Sequence, residues 1–276
     1  MTTETPQGSR LGTEVYNPGD NGIFAVSSVL VAGANDAVLV DAQFSAADAR
    51  KLVDLIRASG KNLTTIYISH GDPDYYFGLD TVSEAFPAAN VLASAPVIAH
   101  IEATQAEKLK VWGPQLGSNA PKRIVIPRPL DGSSIDLEGN KLEIVGLNGP
   151  TPDRSFVWIP SIQTVAGGIP VVAGQHLWMA DTQTSQSHAD WLATLDRIEA
   201  LKPDVVVPGH FMPGSTLDIQ TVRFTASYIR DYDAEAAKAK NSVELIAAMK
   251  ARYPNLGGLS SLELSAKVSK GEMEWH

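Results

Sequence analysis

The chain contains no cysteine, which excludes disulfides, thiolate nucleophiles and cysteine-held zinc. Any metal must therefore be held by histidine and carboxylates, while the redox compartment stays open. Basic residues are outnumbered, 22 Lys and Arg against 31 Asp and Glu, for a formal net charge of −9. That balance argues against nucleic acid as a partner, because phosphates are gripped by clustered Lys and Arg. No stretch approaches the ~20 continuous apolar residues of a membrane span. The opening MTTETPQGSR lacks the basic-then-apolar order of a signal peptide. A cytoplasmic protein with neither nucleic-acid nor membrane partner is the expectation. With 44% hydrophobic and only 19% charged residues, the 276-residue chain has the composition of a folded domain rather than a disordered one.

No repeat, low-complexity tract or linker divides the sequence, so 1–276 reads as one α/β domain. Residues 1–20 form a polar arm and 215–276 a mostly helical end. Phe24–Ala32 and Ala37–Val40 are aliphatic runs around a Gly-Asn-Asp turn, which predicts a hairpin. Ser45 is placed to cap a helix, with Asp48 in its first turn, apolar residues at Ala49, Leu52, Val53 and Ile56, and Gly60 as its stop. Leu63–Ser69 predicts a strand, followed by a short helix near 78–86, a strand at Asn90–Ala93 and a helix over 95–110. From 122 to 180, short runs separated by Gly, Pro, Asn and Asp predict antiparallel strands. Trp191, Leu192, Leu195 and Ile198 mark a helix over 188–201. Asp204–Val207 is a buried strand, and Ser242 is a candidate helix cap.

Chemistry concentrates after two strands. In Ser69-His70-Gly71-Asp72-Pro73-Asp74-Tyr75, the residues His70, Asp72 and Asp74 alternate, so an extended backbone projects them from one side. Pro73 disfavours helix at Asp72. One imidazole and two converging carboxylates suit an oxygen-rich metal site; a solvated polar turn is the plainer reading. The second segment, Val205-Val206-Val207-Pro208-Gly209-His210, sets a histidine on a rigid strand end.

Together these segments resemble the metallo-β-lactamase superfamily, whose strand-end H-x-H-x-D-H motif, G-H-T turn, bridging aspartate and P-G-H turn hold two metal ions. The resemblance runs from Val38-Leu39-Val40-Asp41 to Pro208-Gly209-His210. It implies a four-layer αββα sandwich with its site at the strand edges. On the family's pattern, His70, Asp74 and His210 are kept, and Asp72 replaces the second histidine. Tyr75, Pro150 and Gly168 stand where other ligands would be. The departures exclude an ordinary two-zinc site. They leave His70, Asp72, Asp74 and His210 as ligands for a single Zn²⁺, Mn²⁺ or Fe²⁺, or for no metal at all.

The resemblance further implies that Asp74 orients an attacking water, that Tyr75 donates to an oxyanion, and that Asp41 lies behind the ligands. His176, Trp178 and Asp181, in a segment that arches over the pocket in the family, are candidates for substrate contact or substitute ligands. The bland alternative makes His176 a satisfied core histidine and Asp181 a helix cap. His188 reads as exposed, His100 as remote from every motif, and His276 as the terminal residue. Tyr75, Tyr76, Trp158, Trp178 and Trp275 are candidate pocket aromatics. Tyr228, Tyr232, Met249 and Tyr253 suit either a pocket wall or a homodimer face. Two functions stay open. One is hydrolysis of a small ester, lactone, amide or thioester by a metal-bound water. The other is metal-free chemistry, either small-molecule binding or a lyase or isomerase step.

Overall fold

The computed structural model describes residues 10–275, which divide into two compact units, 10–169 and 170–275. The expected arm falls partly outside the described residues, as does His276. Within the described part, Gly12–Tyr16 is not an arm but a strand, β1, because it pairs antiparallel with β2 (Ser28–Ala32) and gains a full ladder of backbone hydrogen bonds.

In the first unit, β3 (Asp36–Val40) completes the predicted hairpin with β2. Both strands are buried on both faces, which is why they read as unbroken apolar runs. Helix α1 (Ala46–Ser59) then crosses over to β4 (Asn62–Ile68), which lies parallel to β3. Ser45 Oγ accepts the Asp48 N–H at the start of α1, and Gly60 ends it in the left-handed conformation, φ 67°. Its stripe of Ala49, Leu52, Val53 and Ile56 is buried. Each of the larger three stabilises the fold by roughly 1.5–3 kcal/mol.

A one-turn helix α2 (Pro73–Tyr76), then α3 (Leu79–Ala85), β5 (Asn90–Ala93) and α4 (Ala95–Leu116) follow, and β6 (Arg128–Pro129) closes the sheet in the order β1-β2-β3-β4-β5-β6. The expected extended HGDPD stretch is thus only half right. Asp72 is extended, but Pro73, at ease in a first helical turn, starts α2 and carries Asp74 out of the alternating register. Strands β7 (Ser134–Leu137), β8 (Asn140–Val145), β9 (Phe156–Ile159) and β10 (Thr164–Ala166) pair antiparallel in sequence, as the middle region predicted. Glu138, at the β7–β8 turn, fastens this hairpin to the β2–β3 turn. Its carboxylate accepts the N–H groups of Ala34, Asn35 and Asp36 at 2.6–2.9 Å.

The second unit sets the short parallel pair β11 (Val172–Ala173) and β13 (His210–Phe211), with β12 (Val205–Val206) between them in sequence, among four helices. These are α5 (Ser185–Ala200), α6 (Ile219–Lys238), α7 (Ser242–Arg252) and α8 (Leu259–Ser269). Asn241 rather than Ser242 caps α7, its side chain accepting the Glu244 N–H. Tyr228, Tyr232 and Met249 are buried within this unit. No helix among the described residues is long and apolar enough to cross a membrane.

Candidate active site

The parallel strands of the first unit end side by side, and their carboxyl ends carry the polar residues, the usual place for a site in such sheets. Asp41 follows β3 directly, and Ser69 and His70 follow β4. Asp41 is buried and holds a left-handed backbone, φ 65°. Its Oδ1 accepts the Ser69 N–H at 2.8 Å and its Oδ2 the Ser69 hydroxyl at 2.6 Å. Ser69 Oγ in turn accepts the Gly168 N–H at 2.6 Å. Burial pushes the Asp41 carboxyl up to about 7; the Ser69 hydrogen bonds oppose this and the nearby charge of Asp74 adds to it. Gly168 approaches Ser69 with φ 76°, a conformation open to glycine, so the place where the resemblance expects a bridging aspartate serves here as backbone packing.

His70 is buried between two acceptors. Its Nδ1 lies 3.2 Å from the Asp153 carbonyl oxygen and its Nε2 3.1 Å from Asp72 Oδ2. A carbonyl and a carboxylate both only accept, so the full set of contacts asks the ring to donate from both nitrogens. Tyr75 packs edge-on against this ring, centroids 5.2 Å apart. It is wholly buried, and its hydroxyl donates to the Gly168 carbonyl at 3.4 Å, so it supports the imidazole from behind. Asp74, also buried, lies on α2 near enough to act electrostatically on Asp41 and Tyr75.

Two residues on α4 complete the corner. Lys108 Nζ stands 3.4 Å from Asp72 Oδ1, and His100 Nε2 stands 3.7 Å from the same atom. The His100 ring stacks on His70 at 6.2 Å. Burial alone raises the Asp72 carboxyl, but contacts with His100 and His70 and the charges of His70 and Lys108 outweigh it and hold it well below the usual carboxylate range. Contact with Asp72 likewise holds His100 above its ordinary value, against the effect of burial.

His100 was expected to lie far from every motif. It lies in the corner because α4 packs on α2 and on the turn Pro152–Arg154. The available signal was the glycine between His70 and Asp72. A Cβ on Gly71 would meet His100 Cδ2 at 2.5 Å, so a side chain at that position is excluded by the one that packs there. Gly71 marks only that something packs there; His100 and Lys108 lie two turns apart on α4, and nothing in that helix singles them out.

In the second unit, His210 opens β13, half-buried, its turn fixed by the Gly209 N–H to the Val171 carbonyl, 3.0 Å. His176 is buried with Nδ1 2.8 Å from the Tyr228 hydroxyl, and burial, aided by Lys250, lowers its imidazole to about 4. Trp178 meets Trp275 edge-on at 5.2 Å, and Trp275 Nε1 donates to Asp181 at 2.6 Å. Asp181 therefore ties down Trp275, and Thr184 rather than Asp181 caps α5. The expected exposure of His188 is overturned. It is buried, with Nδ1 2.6 Å from Asp233 and Nε2 2.7 Å from the Thr182 carbonyl, because α6 packs alongside α5.

Among the described residues, no group of three or more His, Asp or Glu side chains is arranged to hold a metal ion. The chemistry of the corner supplies the reason. A ligand imidazole must turn a lone pair to the metal, whereas each nitrogen of His70 faces an acceptor. The Lys108 ammonium already stands beside Asp72, where a second cation would be repelled. Pro150 and Gly168 bring no side-chain donor. As arranged, these residues do not fit a divalent ion.

A family model, the metallo-β-lactamase superfamily, matches residues 21–210. The chain is similar to a metallo-β-lactamase family protein from Thermus thermophilus, at 18% identity and a TM-score of 0.64, over 94% of this chain and 91% of the other. A β-lactamase domain protein from Burkholderia ambifaria matches at 14% identity and 0.63, over 94% and 84%. A metallo-β-lactamase from Pontibacter korlensis matches at 18% and 0.53, over 83% and 98%. No curated protein matches the chain. Likeness at such low identity establishes the fold, the α/β sandwich that the motifs implied.

Proposed function

The chain belongs to the metallo-β-lactamase superfamily and carries its hydrolase-type fold, and on that premise we propose that it acts on a small molecule by acid–base chemistry without a resident divalent metal. The observation that carries this reading is the engagement of Asp72. The carboxylate that replaces a family ligand is met by His70 at 3.1 Å, Lys108 at 3.4 Å and His100 at 3.7 Å. Its charge is met by the Lys108 ammonium and two imidazoles.

In this reading His70 is the proton-transfer group. Donating from Nε2 toward Asp72, it can turn that proton instead to the carbonyl oxygen of a bound substrate and recover the same proton from that oxygen when the carbonyl re-forms, Asp72 staying ionised throughout. The Asp153 carbonyl fixes the ring through Nδ1, and Tyr75 holds its face. Asp72 and Lys108 are each 16% exposed and His100 36%, so these side chains are where the corner meets solvent and a ligand enters. Such chemistry suits a lyase or isomerase step α to a carbonyl.

A second reading, hydrolysis of an ester, lactone, amide or thioester by a metal-bound water, is favoured by His70, Asp74 and His210 at the family's positions. One experiment separates the two. The protein is stripped with chelator, then screened against lactones, esters, thioesters and carbonyl acids, with and without added Zn²⁺ or Mn²⁺. We expect turnover or binding that is indifferent to chelation and lost in His70→Ala. Activity restored only by metal would overturn the proposal in favour of the hydrolase.

A further inference from the structure

Resting on that reading, we infer that Lys108 is the cation this corner uses where the fold otherwise places a metal, a positioning residue that neutralises Asp72 and thereby orients His70. Its Nζ lies 3.4 Å from Asp72 Oδ1, while the other carboxylate oxygen, Oδ2, faces His70 Nε2. The two oxygens of Asp72 are thus divided between a fixed ammonium and the imidazole. Both charged side chains are mostly buried, at 16% exposure. In such surroundings an unbalanced carboxylate is costly, and removing one partner leaves the other stranded.

The backbone supports the arrangement. α4 starts at a capped residue, Ser94, whose hydroxyl accepts the Val97 N–H, and packs on α2, which Asp72 precedes. Gly71 leaves the space through which His100 enters, on the same Oδ1 as Lys108. A lysine serves as a point charge on a flexible stem, able to stand near one oxygen without the two-pronged geometry of arginine. His100 alone is a weaker substitute, at 3.7 Å and dependent on its protonation.

The test is a double-mutant cycle on the full chain, with Lys108→Met, Asp72→Asn and the two combined, followed by thermal unfolding at neutral pH. Lys108→Met should lower Tm by roughly 5–10 °C. The double variant should recover most of that loss, and Lys108→Arg should retain most of the wild-type Tm. The inference is overturned by a Tm for Lys108→Met equal to wild type, by equal losses in the single and double variants, or by a Tm for Lys108→Arg no higher than that of Lys108→Met. Should Lys108→Met fail to fold, a folded double variant supports the inference and an unfolded one overturns it. A metal-free wild type with no coupling in the cycle rejects only this inference. Metal bound to the wild type rejects the functional reading beneath it.

Discussion

Asp41 offers the sharpest quantitative prediction. Its carboxyl is buried, accepts from the Ser69 N–H and hydroxyl, and is pushed from an ordinary 3.8 up to about 7, chiefly by burial. In the unfolded chain this group is ionised above pH ~4. Between there and about 7 the folded protein holds a proton that the unfolded chain has released. Stability therefore falls as pH rises through that window, and the loss is complete above it. Each pH unit is worth about 1.4 kcal/mol. From pH 5 to 8.5 the wild type should thus lose about 3 kcal/mol through this group alone.

Asp41→Asn keeps the shape, accepts the Ser69 N–H through its amide oxygen and never ionises. Urea unfolding of both proteins at pH 5, 7 and 8.5 isolates the effect, since all other titrations are shared. The wild type should lose ground to the variant by about 3 kcal/mol across the series. Asp72, held low, gives up its stabilising contribution only as pH falls below its ordinary range, outside this window. A wild-type-to-variant gap that stays constant with pH would show that Asp41 is ionised throughout and would refute the reasoning.

The remaining predictions concern packing and anchoring. Gly78→Ala places a Cβ 2.0 Å from the Ala42 carbonyl oxygen and should cost about 3 kcal/mol or prevent folding. Gly60→Ala meets no atom and strains only a φ of 67°, for about 1 kcal/mol; equal costs in the two denaturation curves would contradict the packing described. Tyr228→Phe removes the 2.8 Å partner of His176 and should cost about 2 kcal/mol by chemical denaturation, while no loss would mean that bond is not formed. Trp275→Ala releases Trp178 and Asp181, so limited proteolysis should cut faster within 174–184; an unchanged cleavage pattern would place the anchor elsewhere.

Much of the fold was legible because the signals were local. Ser45, Asp48 and Gly60 bracket α1 with a cap, a dipole partner and a left-handed stop. The β-branched runs of β2 to β4 are buried on both faces and therefore carry no alternation to misread. The misreadings arose where a distant segment decided the outcome. The polar GTEVY became β1 because β2 offered an edge. His188 was buried by α6, a helix 45 residues away from it at the Asp233 contact. At the candidate site, His70 and Asp72 were read from their place after a strand, and Asp41 and Tyr75 from the family resemblance. The alternation that was to align Asp74 failed because Pro73 starts a turn of helix as readily as it holds an extended residue before it. Lys108 and His100 were illegible as site residues, because nothing within α4 marks which turn faces the HGDPD corner.

The central claim is that protein cations, and Lys108 among them, occupy the role of a divalent ion at this corner. The most direct test is elemental analysis of protein purified without chelator, wild type beside His70→Ala. The account predicts only substoichiometric zinc, manganese and iron in both. One tightly held metal ion per wild-type chain, absent from His70→Ala, would contradict it.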